Sequence, residues 1–128
     1  MAKKVIIVDD SRAVIATAEL ALEEMIHSGI IELKSYLNPM DLLGALQNGS
    51  ENYDLLISDV NMPQLNGLDL ARAIKADDRY KNKPLIILTT ESSDNLKMVG
   101  KEIGVTGWMV KPFSDEKLVK SLKIVLGV

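Results

Sequence analysis

The chain has 128 residues, of which 47% are hydrophobic and 26% charged, an ordinary composition for one folded domain. Its net charge of −3 does not indicate the basic surface that nucleic-acid binding requires. The chain has no cysteine, which excludes disulfides and thiolate metal sites. The apolar run near the start covers only Val5 to Val8, too short for a signal peptide or a membrane span. We therefore expect a cytoplasmic protein that binds no nucleic acid and inserts into no membrane.

Strands and helices are predicted to alternate along the first half of the chain. The first strand, Lys4–Val8, is an unbroken apolar run, and a helix from about Ser11 to His27 follows with apolar residues at helical spacing. The second strand, Ile31–Tyr36, alternates between apolar and polar residues, and a helix over Pro39–Gln47 comes next. The third strand, Leu55–Ser58, is again apolar on both faces, as expected for a buried parallel strand.

The second half continues the alternation. Its predicted elements are a helix over Leu68–Ala76, a strand over Leu85–Leu88, a helix capped near Ser93, a strand over Thr106–Val110 and a helix over Asp115–Leu126. This order predicts an α/β fold with a five-stranded parallel sheet and five helices on its two faces. The alternating second strand suits an edge of that sheet. We expect a single domain over residues 1–128 without an attached output domain.

Polar residues follow four of the five predicted strands. They are Asp9 and Asp10 after the first strand, Asp59 after the third, Thr89 and Thr90 after the fourth, and Lys111 after the fifth. Because ligands of parallel sheets bind beyond the carboxyl ends of the strands, we expect these groups to meet at one edge. Three carboxylates repel one another unless a hard cation lies between them, and Mg²⁺ prefers such oxygen ligands. The pattern favours a magnesium site over acids that merely end strands in water.

These residue types suit phosphoryl transfer. An aspartate ordinarily has a pKa of about 4, so it is an ionised nucleophile at neutral pH without a base. Its product with phosphate would be an acyl phosphate, and Lys111 and Thr89 offer a charge and a hydroxyl to the phosphoryl oxygens. Positioning and electrostatics are what phosphoryl transfer chiefly requires.

The ordered set of motifs resembles the receiver domains of bacterial response regulators, and in particular the stand-alone chemotaxis type. The matching segments are Asp9-Asp10, residues 57–63, Leu88-Thr89 and residues 110–113. The resemblance spans nearly the whole chain and implies the flavodoxin-like strand order 2-1-3-4-5. It further implies a phosphoacceptor signalling protein rather than an enzyme, with a sensor histidine kinase as its phosphoryl donor.

The resemblance also implies roles for individual residues. Asp59 would accept the phosphoryl group, Lys111 would pair with it, and the Lys111–Pro112 peptide bond would be cis. The implied Mg²⁺ ligands are the side chains of Asp10 and Asp59 and the backbone carbonyl of Asn61, with Asp9 in support. Thr89 would move toward the phosphoryl group, and the face formed by the fourth helix, fifth strand and fifth helix would change. Expected partners include a downstream target such as the flagellar motor and a phosphatase, with the protein a monomer or weak dimer.

The sequence departs from the usual family pattern at Trp108, where tyrosine, phenylalanine or histidine is common. Because the indole is large and its N–H needs a partner when buried, the ring would either turn inward only partly on activation or stay outside. Thr90 stands where a small residue is frequent and would narrow access. Asn61 and Glu91 occupy two positions that tune hydrolysis in the family, which predicts a short-lived phosphorylated form.

Two other functions remain open at this point. A magnesium-dependent phosphatase of the haloacid dehalogenase type needs an acid two residues after its nucleophile, where this chain has Asn61. A passive docking module with a silent acidic site is the other alternative, which the full set of acids, Thr89 and Lys111 disfavours. A dinucleotide-binding fold is disfavoured because Asp9-Asp10-Ser11-Arg12 stands where a glycine-rich turn would be needed.

Overall fold

Five short strands form one parallel sheet in the computed structural model of the chain, which describes residues 1–128. The strands are β1 (Lys3–Val8), β2 (Ile31–Tyr36), β3 (Leu55–Ser58), β4 (Leu85–Thr89) and β5 (Gly107–Val110). They lie in the order β2-β1-β3-β4-β5, and every neighbouring pair is parallel. The predicted doubly wound, flavodoxin-like order is therefore confirmed, with the alternating strand β2 at one edge.

Six helical segments cover the sheet. They are α1 (Arg12–Ala21), α2 (Glu23–His27), α3 (Pro39–Gln47), α4 (Gly67–Lys75), α5 (Asp94–Ile103) and α6 (Asp115–Leu126). Five of these helices begin at a Ser or Asn whose side chain accepts a hydrogen bond from a backbone N–H of the first turn, as N-capping predicts. No helix has both the length and the apolar character that crossing a bilayer requires.

The structure has six helical segments where the sequence predicted five, because the first helix is interrupted at Leu22. This residue has φ −99° and ψ 4°, outside the helical region, yet its N–H still donates to the Ala18 carbonyl at 3.0 Å. The Leu22 side chain is fully buried against the sheet. No glycine or proline marks the position, so the local pattern carries no signal for the break.

Side chains alternate along the strands and build a core on each face of the sheet. On one face, Ile6 and Val8 of β1 join a 15-residue cluster with α3 and α4, against which α5 also packs. On the other face, Val5 and Ile7 join a 13-residue cluster with α1, α2 and α6. Each buried aliphatic side chain contributes roughly 2 kcal/mol, whereas an exposed ion pair contributes about 0–1 kcal/mol. The two cores therefore hold the carboxyl ends of the strands in place.

Candidate functional site

The polar residues that follow the strands meet at the carboxyl edge of the sheet. Asp9 and Asp10 come directly after β1, Asp59 after β3 and Lys111 after β5, while Thr89 is the last residue of β4. One carboxylate oxygen from each of the three aspartates lies within 4.8 Å of the others. Asp9 and Asp59 are buried and Asp10 is exposed, so the acidic cluster has a buried floor and an open side.

Lys111 lies between the two buried carboxylates. Its Nζ is 2.6 Å from Asp9 Oδ2 and 3.3 Å from Asp59 Oδ2, and its side chain is only 14% exposed. The Lys111 N–H donates to the Thr89 carbonyl at 2.9 Å, which continues the pairing of β4 with β5 beyond the strand ends. The Lys111–Pro112 peptide bond is cis, as the resemblance to receiver domains implied.

Asp9 is the most enclosed carboxylate of the cluster. Burial raises the pKa of its carboxyl group, against the opposing hydrogen bonds from Lys111 and from the Ser11 N–H at 2.9 Å, while the Asp59 charge raises it further. Mutual repulsion of two acids in a poorly hydrated place adds to the cost of burying the charge. A cation at the open side of the cluster would relieve that repulsion.

The Asp59 carboxylate is oriented by its own backbone surroundings. Its Oδ1 accepts the Val60 N–H at 2.7 Å, which leaves Oδ2 facing Lys111. Behind it, Gly67 at the start of α4 lies so close that a Cβ there would be 1.8 Å from the Asp59 carbonyl oxygen. Sequence reasoning missed Gly67, whose only local signal is the Asn-Gly pair that also predicts an ordinary turn.

Four further residues named from the sequence form a chain of contacts beside the cluster. The Thr89 side chain is fully buried, and its Oγ1 accepts the Glu91 N–H at 3.2 Å. The Asn61 amide donates to the Glu91 carboxylate at 3.2 Å. The indole N–H of Trp108 donates to the Glu91 backbone carbonyl at 2.9 Å. The resemblance to receiver domains pointed to these side chains, but not to the backbone carbonyl that joins Trp108 to Glu91.

Thr90 lies apart from this chain of contacts. It is exposed and lines a largely apolar groove beside the acidic cluster, together with Lys111, Pro112, Phe113 and residues of α1. Thr90 is therefore a surface residue that shares this groove with Lys111, and its expected effect on access to Asp59 stays a prediction.

Comparisons with known proteins agree with this geometry. Residues 5–123 match the family model of the response regulator receiver domain. Chemotaxis protein CheY1 of Helicobacter pylori is 32% identical over 97% of this chain and 97% of its own length. A chemotaxis CheY homolog of Campylobacter jejuni is 32% identical over 97% of this chain and 92% of its own length.

A solved structure extends the likeness from sequence to three dimensions. The structure of chemotaxis protein CheY4 of Vibrio cholerae is 36% identical and superposes with a TM-score of 0.86, covering 98% of this chain and all of that one. The chain belongs to the response regulator receiver domain family, as a CheY-like member of two-component signalling.

Proposed function

We propose that Asp59 accepts a phosphoryl group from the phosphohistidine of a sensor histidine kinase and that the modified protein then acts on a downstream partner. One observation carries the proposal: three carboxylates from two strand ends meet within 4.8 Å, with Lys111 Nζ 3.3 Å from an Asp59 oxygen. CheY-like receivers are signalling proteins rather than classical enzymes. The chain would accordingly assist only its own phosphorylation and dephosphorylation.

The donor set of the acidic cluster suits Mg²⁺, which takes hard oxygen ligands and keeps several waters. The side chains of Asp10 and Asp59 and the backbone carbonyl of Asn61 would hold the ion, with Asp9 in support. When bound, Mg²⁺ would neutralise charge on the phosphoryl oxygens.

In the transfer itself, a carboxylate oxygen of Asp59 attacks phosphorus while the bond from phosphorus to the histidine nitrogen breaks and its electron pair stays on the imidazole. Lys111 already faces Asp59 Oδ2 and would pair with a phosphoryl oxygen. Thr89 would release the Glu91 N–H and donate its hydroxyl to another phosphoryl oxygen. These groups orient and stabilise charge, and none of them has to transfer a proton.

The switched surface would be the face formed by α5, β5 and α6. Exposed apolar side chains lie on all three elements, namely Met98, Val110 and Ile124. Movement of Thr89 at the end of β4 would shift the loop that leads into α5. The output partner would be a protein such as a flagellar motor component, the protein itself being a monomer or weak dimer.

The lifetime of the phosphorylated form would be set by Asn61, Thr90 and Glu91, with a phosphatase as a further partner. Asn61 and Glu91 contact each other between the loops that follow β3 and β4, and Thr90 borders the neighbouring groove. Water that hydrolyses the acyl phosphate would pass these side chains. We therefore propose a short-lived phosphorylated form.

The experiment that tests the proposal combines mass spectrometry with fluorescence. Incubation with acetyl phosphate and Mg²⁺ should add one phosphoryl group to Asp59, and Mg²⁺ followed by beryllofluoride should change the emission of Trp108, the only tryptophan. Asp59→Ala should abolish both signals. Asp69→Ala removes an exposed acid of α4 outside the cluster and should leave both unchanged.

An adduct on another residue, or no adduct in the presence of Mg²⁺, would contradict the proposal. Sustained turnover of simple phosphate esters would instead indicate an aspartyl-nucleophile phosphatase. A protein that responds to neither reagent yet binds a partner would be a docking module with a silent acidic site.

A further inference from the structure

Trp108 is bound to a loop outside its own strand. It lies on the edge strand β5 opposite Ile87 of β4, and its half-buried side chain reaches the loop after β4. There the indole N–H donates to the Glu91 carbonyl at 2.9 Å, a normal hydrogen-bond length. A phenylalanine at this position would have no N–H or O–H to donate to the Glu91 carbonyl.

The neighbouring helix leaves room for the ring. A Cβ on Gly100 of α5 would lie 3.1 Å from the indole Cζ3 and 3.4 Å from Cε3, tighter than ordinary van der Waals contact. A glycine inside a helix costs about 1 kcal/mol relative to alanine. The absence of a side chain at Gly100 therefore lets α5 pack closely on the indole, which is confined between this helix and the loop.

Glu91 is held at three separate atoms. Its N–H donates to Thr89 Oγ1, its backbone carbonyl accepts from Trp108, and its carboxylate accepts from the Asn61 amide. The first and third contacts involve residues of the candidate site. The Trp108 contact is the one that originates outside it, so Trp108 fixes the backbone from which the Glu91 side chain reaches Asn61.

We propose that Trp108 is a positioning residue for the loss of the phosphoryl group, an inference that rests on the proposed function. Trp108 holds the Glu91 backbone so that the Glu91 carboxylate and the Asn61 amide stay together and orient water at Asp59. In that hydrolysis the water oxygen attacks phosphorus and the bond from phosphorus to Asp59 Oδ breaks. The products are the free carboxylate and dihydrogen phosphate, which carries both hydrogens of the water.

Because Trp108 is proposed to keep the attacking water oriented, its loss should slow the hydrolysis of the phosphorylated protein. A water that must approach phosphorus in line reacts more slowly when its hydrogen-bonding partners are free to move. Trp108→Phe keeps an aromatic ring on β5 but removes the N–H donor. We expect this change to slow phosphoryl loss about fivefold, the factor that corresponds to one ordinary hydrogen bond.

A double-mutant cycle separates positioning through Glu91 from a general packing role of the ring. Phosphoryl loss after removal of acetyl phosphate is followed by intact-protein mass spectrometry for wild type, Trp108→Phe, Glu91→Ala and the double variant. We expect Glu91→Ala to slow the loss at least as much as Trp108→Phe, and the double variant to match Glu91→Ala. Met40→Ala, an exposed change on α3 and outside the proposed partner face, should leave the rate unchanged.

Nuclear magnetic resonance provides a second readout that does not depend on the rate. The chain has one tryptophan, so its spectrum contains one indole N–H signal. In the unphosphorylated protein this proton should exchange slowly with solvent, and it should remain protected in Glu91→Ala because its acceptor is a backbone carbonyl. Rapid exchange in the wild-type protein would overturn the proposal.

The outcomes distinguish this inference from the proposed function. An unchanged rate in Trp108→Phe, an unchanged rate in Glu91→Ala, or independent effects that multiply in the double variant would overturn the positioning role while leaving Asp59 as phosphoacceptor. If neither the wild-type protein nor any variant formed an adduct on Asp59, both the positioning role of Trp108 and the proposed phosphoacceptor function would be overturned.

Discussion

Tyr53 and Tyr80 are stacked tyrosines whose hydroxyl groups have different surroundings. Their ring centroids are 5.7 Å apart with an interplanar angle of 15°, and both residues are buried. The Tyr80 hydroxyl donates to the Leu46 carbonyl at 2.7 Å and lies 3.2 Å from the Glu51 carbonyl. The Tyr53 hydroxyl has no partner, and burial together with the neighbouring Tyr80 raises the pKa of Tyr53. The pair therefore contains one satisfied and one unsatisfied buried hydroxyl.

Removing the Tyr80 hydroxyl and removing the Tyr53 hydroxyl should affect the free energy of unfolding differently. Tyr80→Phe should lower the free energy of unfolding by about 1–2 kcal/mol because the buried Leu46 carbonyl loses its donor. Tyr53→Phe should leave it unchanged or raise it by up to about 1 kcal/mol, because an unpaired polar group is removed. Urea unfolding at neutral pH measures both. Equal losses for the two variants would mean that the Tyr53 hydroxyl has a partner in solution.

The chemistry of single residues also explains which parts of the site could be predicted from the sequence. Asp9, Asp59 and Lys111 are ionisable residues at the ends of apolar runs, so their identity and position suffice to bring them to one edge. The contact of Trp108 with Glu91 could not be predicted in this way. Its acceptor is a backbone carbonyl, a group that every residue has, and only the path of the loop places it within 2.9 Å.

At the scale of elements, α4 begins against the backbone of the candidate phosphoacceptor. The Gly67 N–H donates to the Val60 carbonyl at 2.8 Å, and the Asn66 side chain caps the helix by accepting the Leu68 N–H. A Cβ at Gly67 would meet three backbone atoms of Asp59 and Val60 at 1.8–2.9 Å. The start of α4 and the loop carrying Asp59 are therefore packed without space for any side chain.

Two glycine substitutions test this close approach. Gly67→Ala should lower the free energy of unfolding by roughly 1–3 kcal/mol, since backbone on both sides must shift. Gly44→Ala is the matched control, because Gly44 is exposed within α3 and a Cβ added there would have no neighbouring atom within 4 Å. It should raise the free energy of unfolding by about 0.5–1 kcal/mol through helix propensity. Urea unfolding of both variants measures these changes. A Gly67→Ala variant with the same free energy of unfolding as wild type would contradict the close packing of Gly67 against Asp59 and Val60.

At the scale of the whole molecule, Glu51 joins the first two strands to the loop before the third. Its side chain is 1% exposed and contacts Lys4 of β1 and, at 2.7 Å, Lys34 of β2, while the Tyr36 hydroxyl donates to it at 2.5 Å. Burial alone would raise the pKa of Glu51. Hydrogen bonds from Lys34, Lys4, Tyr36 and the Asn52 N–H outweigh it and lower the pKa to about 2.

This lowered pKa predicts a dependence of stability on pH. A carboxylate with a lower pKa in the folded state stabilises the protein above its unfolded value, here 4.5, and loses that contribution as the pH falls through about 2. Glu51→Gln should therefore cost on the order of 2 kcal/mol at pH 7, allowing for screening of the partly exposed lysines. The difference from wild type should shrink steadily across that acidic range.

The measurement is urea unfolding of wild type and Glu51→Gln at several pH values between neutral and strongly acidic. Asp78→Asn removes an exposed ion pair with Lys81 and should have little effect at any pH. A difference between wild type and Glu51→Gln that is constant with pH would show that the Glu51 charge does not carry the stabilisation.

The succession of strands and helices, the two-sided burial of the inner strands and the groups that reach the carboxyl edge can all be deduced from the amino-acid sequence alone. These features follow from local periodicity and from residue chemistry. Strand β2 shows this well, because its alternation of apolar and polar residues already indicates an edge. The resemblance to receiver domains supplied the strand order, which the structure confirms.

Four features emerge only in the folded molecule: the interruption at Leu22, the approach of Gly67 to Asp59, the burial of Glu51 among lysines and the bond from Trp108 to Glu91. Each depends on the distance between atoms that are remote in sequence, or on a backbone group whose direction no residue type specifies. Packing of the two cores sets those distances. For this reason the identity of the site residues is a property of the sequence, whereas the way they are held is a property of the fold.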